Sequence, residues 1–155
     1  MQIKIRHSTE DDCHDLLIWR NNPAIRQMCF DSSQIKEEEH KKWFDKKIKD
    51  KNTRIYIAED AKGKKLGQVR FEVNDENKAY ISVNLNPEFL GQGLGHKIIR
   101  MATDIFLNER KDINKIIAEV IEENTASQKA FEKAGYSFIE ETSKNQNKVK
   151  VFSFT

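Results

Sequence analysis

Three glycines stand within five residues of this 155-residue chain, at Gly91, Gly93 and Gly95 of the run LGQGLGH. The run follows an alternating apolar stretch and precedes a segment with helical apolar spacing, so it is predicted to form a strand-to-helix turn. Glycines at such a turn let the backbone adopt positive φ, and the first free N–H groups of the helix point at an anion. We therefore predict a phosphate cradle whose ligand is a pyrophosphate. The alternative is structural: Gly91 ends a loop and Gly95 packs the helix against the sheet.

A second segment, NTASQKAFEKAGYSF at residues 124–138, follows another apolar strand. Together the two segments resemble the GCN5-related N-acetyltransferase (GNAT) family, whose members transfer an acetyl group from acetyl-CoA to an amine. The family patterns are Q/R-x-x-G-x-G/A and N-x-x-A-x-x-hydrophobic-Y-E-K-x-G-F. The matching residues are Gly93, Gly95, Asn124, Glu132, Lys133 and Gly135. Two departures matter, because Leu90 stands where Gln or Arg is usual and Phe131 where Tyr is usual; Tyr136 replaces the final Phe.

The composition favours one domain that spans residues 1–155 and does not bind nucleic acid. The chain has 27 basic and 25 acidic residues, a net charge of only +2, whereas a nucleic-acid binder concentrates basic charge on one face. Cys13 and Cys29 form no metal-ligand spacing with the histidines, so we expect neither a metal site nor a disulfide. No signal peptide and no apolar run of ~20 residues is present, so we expect a cytoplasmic protein that does not enter a membrane. A homodimer is one assembly that the sequence allows.

The element order is predicted to be a strand, two or three helices, three strands, a helix, a strand, a helix and two strands. This order predicts an α/β (α+β) domain, with a mixed, mostly antiparallel sheet and helices on both faces. It is also the order of the acyl-CoA N-acyltransferase (GNAT) fold, so the resemblance covers nearly the whole chain. Within the amino-terminal third, a second helical piece is expected at residues 25–30, and Ser33 is expected to cap the next helix.

The resemblance implies where the acetyl donor binds. Strands at residues 80–85 and 115–121 should splay apart to admit the pantetheine arm, with backbone groups of Val83, Asn84 and Leu85 pairing with its amides and polarising the thioester carbonyl. The N–H groups that would hold the pyrophosphate belong to Leu90, Gly91, Gln92, Gly93, Leu94, Gly95 and His96. Further donor-binding residues implied are Asn124, Ser127 and Phe131. Asn124 would bind the pantetheine arm, and it is also suited to cap the helix that follows.

Transfer to an amine requires a base for the amine and a proton for the departing thiolate. Many members of the family use the Tyr that is Phe131 here, and a phenylalanine has no proton to donate. Ser127, Tyr136 or a bound water are alternative donors. The candidates for the base are Glu72, Glu119 and His40, although a histidine beside Trp43 on a helix face is also typical of packing.

The amino-terminal third is expected to choose the acceptor amine. Its residues resemble those of N-acetyltransferases that modify nucleotide-linked deoxysugars, including the pseudaminic-acid branch. They are Trp19, Arg20, Asn21, Asn22, Arg26, Met28, Glu39, His40, Trp43 and Phe44. Arg20 and Arg26 would pair with a diphosphate, and Asn21, His40 and Trp43 would contact the acceptor.

Three alternatives remain open from the sequence. Arg20 could be an internal clamp that joins the first helix to the loop after it. Acetyltransferases of protein N-termini also carry W-R-N near their start, so a ribosomal-protein N-terminus is a second possible acceptor. An acidic, peptide-sized groove would favour the N-terminus, whereas a basic, closed pocket would favour the sugar nucleotide. Because Phe131 replaces the proton donor, a non-catalytic acyl-CoA-binding module is a third hypothesis.

Overall fold

Seven strands form one sheet in a computed structural model that describes residues 1–155. The strands are β1 (Lys4–His7), β2 (Thr53–Glu59), β3 (Lys65–Val73), β4 (Ala79–Leu85), β5 (Ile116–Ile121), β6 (Ser137–Lys144) and β7 (Asn147–Phe154). The helices are α1 (Cys13–Asn21), α2 (Pro23–Arg26), α3 (Glu37–Lys49), α4 (Gly95–Glu109) and α5 (Thr125–Lys133), with short 3₁₀ turns at Glu10–Asp12 and Pro87–Phe89.

The strand order is β1-β2-β3-β4-β5-β7-β6, and each neighbouring pair is antiparallel except β4 with β5. The parallel pair is the one that α4 connects, as a crossover between parallel strands requires. This arrangement confirms the predicted mixed, mostly antiparallel sheet and the predicted element order.

Each face of the sheet packs against different helices. On one face Phe71 of β3 stacks on Phe106 of α4, with ring centroids 4.2 Å apart, at the centre of the main core. On the other face Ile55 and Ile57 of β2 pack against Phe44 of α3 and residues of α1. Because side chains alternate along a strand, neighbouring residues of β2 and β3 enter different layers. Helices therefore cover both faces, as predicted.

The sheet opens between its two parallel strands. β4 and β5 pair only at Ala79 with Ile116 and at Tyr80 with Ile117, although both strands continue for several residues beyond this point. Further along, β5 keeps its antiparallel partner β7, whereas β4 keeps β3. The carboxyl-terminal ends of β4 and β5 thus diverge, which is the gap that the predicted slot requires.

Two details of the amino-terminal third differ from the prediction. α2 occupies Pro23–Arg26 rather than residues 25–30, because the Asn22 side chain accepts a hydrogen bond from the amide of Ala24 and a proline begins the helix. Ser33 does not cap α3: its amide and hydroxyl both donate to the Asp31 carboxylate. α3 begins at Glu37 without a side-chain cap, and its first turn consists of three glutamates that the helix dipole stabilises.

A buried carboxylate ties the first strand to the third. Asp12, with its side chain only 1% exposed, accepts two hydrogen bonds of 2.9 Å from the guanidinium of Arg6 and one of 2.8 Å from the amide of Thr9. The ammonium of Lys65 lies 2.7 Å from the same carboxylate and 2.9 Å from Asp15. Burial opposes the charge, but these hydrogen bonds outweigh it and hold the pKa of Asp12 far below its usual value.

No helix of this protein is long and apolar enough to cross a membrane. No group of three or more His, Cys, Asp or Glu side chains is arranged to hold a metal ion.

Candidate active site

A cleft of about 840 Å³ opens where β4 and β5 diverge, a volume in the range typical of small-molecule sites. Its walls come from the glycine loop with the start of α4, from the ends of β4 and β5, from α5, and from α1–α3 with the loop between α2 and α3. The cleft thus joins the two regions that the sequence singled out, the glycine loop and the amino-terminal third.

The glycine loop has the backbone that a phosphate cradle needs. Gly91 and Gly93 adopt φ of +76° and +74°, which a residue with a Cβ adopts only at a cost. α4 begins at Gly95 and has no acidic residue in its first turn, so no carboxylate neutralises its positive end. A Cβ on Gly95 would lie 3.5 Å from the Cβ of Ala130, so this third glycine also permits close packing of α4 on α5.

The loop residues that line the cleft are Leu90, Gly91, Gly93, Leu94, Gly95 and His96. Gln92 does not line it, because its side-chain amide turns back and donates to the carbonyl of Glu88 at 3.1 Å. The expectation for Gln92 therefore concerns only its backbone N–H group, which would bind the pyrophosphate.

The other predicted donor-binding residues all border the cleft: Val83, Asn84, Leu85, Asn124, Ser127 and Phe131. Asn124 caps α5, since its side-chain oxygen accepts a hydrogen bond of 3.1 Å from the amide of Ser127. The side-chain nitrogen of Asn124 makes no hydrogen bond within the chain. Capping therefore leaves its donor group free for a ligand in the cleft.

Of the two side chains considered as proton donors, only Ser127 borders the cleft. Tyr136 is 2% exposed, and its hydroxyl is hydrogen-bonded to the hydroxyl of Thr103 at 2.8 Å, behind the ring of Phe131. Burial raises the pKa of Tyr136 well above its usual value. Tyr136 is a core residue, which removes it from the candidate donors.

Replacing Phe131 with tyrosine should change the rate of acetyl transfer by less than about tenfold, or ~1.4 kcal/mol of barrier. Phe131 lines the cleft, and we expect Ser127 or a water to protonate the thiolate, so the added hydroxyl would only supplement that proton source. Thiol release under saturating acetyl-CoA measures the rate. A wild type that releases no thiol, together with a Phe131→Tyr variant that does, would contradict this expectation.

The two glutamates proposed as bases occupy different places. Glu119 of β5 lines the cleft, and its carboxylate lies 3.3 Å from the ammonium of Lys144 on β6. Glu72 of β3 does not line the cleft, contrary to expectation, because its carboxylate is held by Lys47 at 2.7 Å and Arg70 at 2.8 Å. Burial opposes the charge of Glu72, but Lys47 and Arg70 outweigh it and lower the pKa of Glu72.

His40 both packs in the fold and faces the cleft. Its Nε2 lies 2.9 Å from the carbonyl of Cys13, and because a carbonyl only accepts, this nitrogen carries the hydrogen. Burial lowers the pKa of His40, so the ring is neutral near pH 7. The ring packs beside Trp43 with centroids 5.7 Å apart, and Nδ1 makes no hydrogen bond within the chain.

Only some of the predicted acceptor residues reach the cleft. Arg20, His40 and Trp43 line it, whereas Asn21 and Arg26 do not. Asn21 instead exchanges two hydrogen bonds of 2.8 Å with the backbone of Ile35, which fixes the loop before α3. Arg26 is half-buried, and its Nε is buried without a partner.

Arg20 combines the two roles that the sequence left open. Its Nη2 donates to the backbone carbonyl of Asp31 at 2.6 Å, which joins α1 to the loop before α3. Its Nη1 is buried and has no hydrogen-bond partner, and the residue lines the cleft. Arg20 is therefore a clamp with one donor nitrogen left free.

A polar row that was not predicted lies on the sheet face beneath α1 and α3. Gln68 and Arg70 of β3 lie directly opposite Asn84 and Ser82 of β4, and all four line the cleft. The guanidinium of Arg70 also lies over the ring of Trp43, 4.9 Å from its centroid. Alternating polar residues on two central strands were the available signal, because both faces of such strands are covered and a polar row there must face a partner.

Comparisons with known proteins agree with this geometry. The family model described as acetyltransferase (GNAT) domain matches residues 2–137. An uncharacterized protein of Methanocaldococcus jannaschii is 28% identical over 138 residues, which are 87% of this chain and 28% of that protein. The chain therefore spans well under a third of the length of that relative.

Two solved structures share the fold. Spermidine N-acetyltransferase from Vibrio cholerae, in complex with CoA and spermine, has a TM-score of 0.86 at 22% identity, covering 99% of this chain and 95% of that one. The aminoglycoside acetyltransferase AAC(6')-Ib, in complex with coenzyme A and kanamycin, has a TM-score of 0.85 at 20% identity, with coverages of 99% and 95%. The family match, which covers residues 2–137, shows that the chain belongs to the GNAT family, the acetyl-CoA-dependent N-acetyltransferases.

Proposed function

We propose that this enzyme transfers the acetyl group of acetyl-CoA to the primary amine of a nucleotide-linked amino sugar. The observation that carries the proposal is Arg20, whose Nη1 is buried in the cleft without a partner. A buried guanidinium N–H that lacks an acceptor is costly, and carboxylate and phosphate oxygens are the acceptors that a planar guanidinium matches well. A diphosphate-bearing acceptor supplies such an oxygen.

Other features of the acceptor side suit a sugar. Trp43 offers an aromatic ring at the cleft, and the row of Gln68, Ser82 and Asn84 offers neutral hydrogen-bonding groups for hydroxyls. Five of the amino-terminal residues that resemble those of the deoxysugar N-acetyltransferases line the cleft: Arg20, Met28, Glu39, His40 and Trp43. Arg26 and Asn21 have no part in the proposal, because neither borders the cleft.

For the chemistry we propose Glu119 as the base, acting directly or through a water, with neutral His40 as the second candidate. The amine nitrogen attacks the thioester carbonyl, a C–N bond forms and the C–S bond breaks. One proton leaves the nitrogen for the base, and the thiolate takes a proton from Ser127 or from water. A thiolate of pKa ~8–9 also leaves without direct protonation, which makes Phe131 compatible with activity.

A polycationic acceptor is the second candidate. Asp31, Glu39 and Glu119 line the cleft together with Arg20 and Arg70, so the acceptor half holds three carboxylates against two guanidinium groups, a slight acidic excess that suits a cationic amine. The spermidine and aminoglycoside enzymes of the same fold act on amines of this kind. A protein N-terminus remains the third acceptor to be tested.

A thiol-release assay with nucleotide-linked amino sugars, polyamines, aminoglycosides and N-terminal peptides separates these acceptors. We expect the highest kcat/KM with a nucleotide-linked amino sugar, and a much lower value with the same amino sugar lacking its nucleotide. A preference for spermidine or for a peptide over every sugar nucleotide would refute the proposed acceptor.

Replacing Arg20 with methionine should raise KM for the sugar nucleotide about 10- to 150-fold, or on the order of 1.5–3 kcal/mol for a charge-assisted hydrogen bond. Affinity for acetyl-CoA should change little, because Arg20 belongs to α1 and not to the glycine loop. Arg26→Met is the matched control, since Arg26 also has a buried nitrogen without a partner but does not line the cleft. If Arg20→Met lowers the melting temperature but leaves KM unchanged, Arg20 is a clamp alone.

A further inference from the structure

Gln68 is buried at the cleft with an unused hydrogen-bonding atom. It lies at the middle of β3, between Ile57 of β2 and Asn84 of β4, and is 3% exposed. Its Oε1 is buried and has no hydrogen-bond partner, yet the residue lines the cleft. Its neighbours on the same face, Arg70 and Asn84, make no hydrogen bond with it.

A buried amide oxygen without a partner has a cost in the free protein. Folding removes Oε1 from water, and no protein donor replaces the lost hydrogen bond. Gln128 shows the usual arrangement: it is 8% exposed, and its side-chain nitrogen donates to the carbonyls of Ile121 and Glu122 at 3.3 and 2.7 Å. Gln68 lies on the sheet face covered by α1 and α3, whose residues Arg20, His40 and Trp43 also line the cleft.

We propose that Gln68 is an acceptor-binding residue, whose Oε1 accepts a hydrogen bond from an N–H or O–H group of the acceptor molecule. The amide is neutral and takes up no proton, so Gln68 orients the acceptor and does not serve as the base. The inference rests on the proposed function only in requiring that an acceptor amine enters this cleft. It holds for a sugar nucleotide, a polyamine or a peptide alike.

The test is Gln68→Met, which keeps the length of the side chain and removes both polar atoms. Because the substitution removes an unpartnered buried oxygen, we expect the melting temperature of the free protein to rise by about 2–4 °C. With the best acceptor of the panel, kcat/KM should fall at least about tenfold. The Kd for acetyl-CoA, measured by calorimetry, should stay within about twofold, since the cradle is untouched.

The split between kcat and KM identifies the group that Gln68 holds. A fall in kcat at unchanged KM places the reacting amine at Oε1, and a rise in KM at unchanged kcat places another N–H or O–H group there. Both results support the proposal. Unchanged kcat/KM would overturn it.

Gln128→Met is the matched control. It should lower the melting temperature, because it removes hydrogen bonds that the fold uses. If Gln68→Met lowers the melting temperature in the same way, Oε1 has a structural partner and the proposal is wrong; this measurement needs no acceptor. If a polyamine proves to be the best acceptor of the panel, the proposed acceptor is refuted but the Gln68 proposal is not. The kinetics of Gln68→Met are then measured with that polyamine.

Discussion

A Gly93→Val protein is expected to bind acetyl-CoA at least about 100-fold more weakly than the wild type, a loss of ~2.7 kcal/mol or more. Gly93 has φ of +74°, which a β-branched residue adopts only under strain. Relief of that strain would rotate the N–H groups of the loop away from the pyrophosphate. A Cβ at Gly93 meets no atom within 4 Å in the unliganded cleft, so the effect comes from backbone conformation and from the space that the ligand needs.

Gly63→Val is the control for backbone strain. Gly63 has φ of +84° in the turn between β2 and β3, again with no atom within 4 Å of an added Cβ, and it does not line the cleft. Both variants should lose stability, but only Gly93→Val should lose affinity in calorimetry. If a folded Gly93→Val protein binds acetyl-CoA with the affinity of the wild type, the glycine loop is not part of the donor site.

The second large effect is expected at Asp12. Asp12→Ala should lower the free energy of unfolding by about 3 kcal/mol at pH 7, because it leaves Arg6 and Lys65 without their shared carboxylate. We take the low end of the range for buried pairs, since the side chains of Arg6 and Lys65 remain 29% and 24% exposed. Urea denaturation measures the difference.

The loss should depend on pH in a known direction. The pKa of Asp12 is depressed in the folded protein, so its contribution is complete above the unfolded value of ~3.9 and disappears as the pH falls through the folded value. The stabilities of wild type and Asp12→Ala should therefore begin to converge below about pH 4 and should become equal only at a pH well below that.

Asp15→Ala is the matched control for Asp12. Asp15 shares Lys65 at 2.9 Å but has a side chain that is 43% exposed, so its removal should cost less than about 1 kcal/mol. A loss at Asp12 no larger than at Asp15 would show that the buried cluster contributes little. A difference that persists unchanged at pH 3 would show that the contribution of Asp12 does not depend on its charge.

Local sequence patterns predicted most of the fold because they act over short distances. The observed order of strands and helices is the one that the apolar spacing indicated, and Gly91 and Gly93 adopt the positive φ that their lack of a Cβ allows. The prediction failed at residues 22–37, where side-chain hydrogen bonds of Asn22 and Asp31 decided the boundaries. Such local hydrogen bonds between side chains and the backbone compete with helix formation, so the apolar spacing alone does not fix where the helix begins and ends.

The sequence by itself determined the family, the backbone conformation at Gly91 and Gly93 and the cap at Asn124, since each depends on residues close together in the chain. Only the tertiary structure decided which polar side chains meet at the cleft. Glu72 forms ion pairs with Lys47 and Arg70. Asn21 hydrogen-bonds to the backbone of Ile35, and Tyr136 to the hydroxyl of Thr103. Hydrophobic patterning does not encode any of these contacts. The same packing buried Arg20 and Gln68 with one atom each left unpaired, because pairing across strands and helices, not spacing along the chain, settles which hydrogen-bonding groups find a partner.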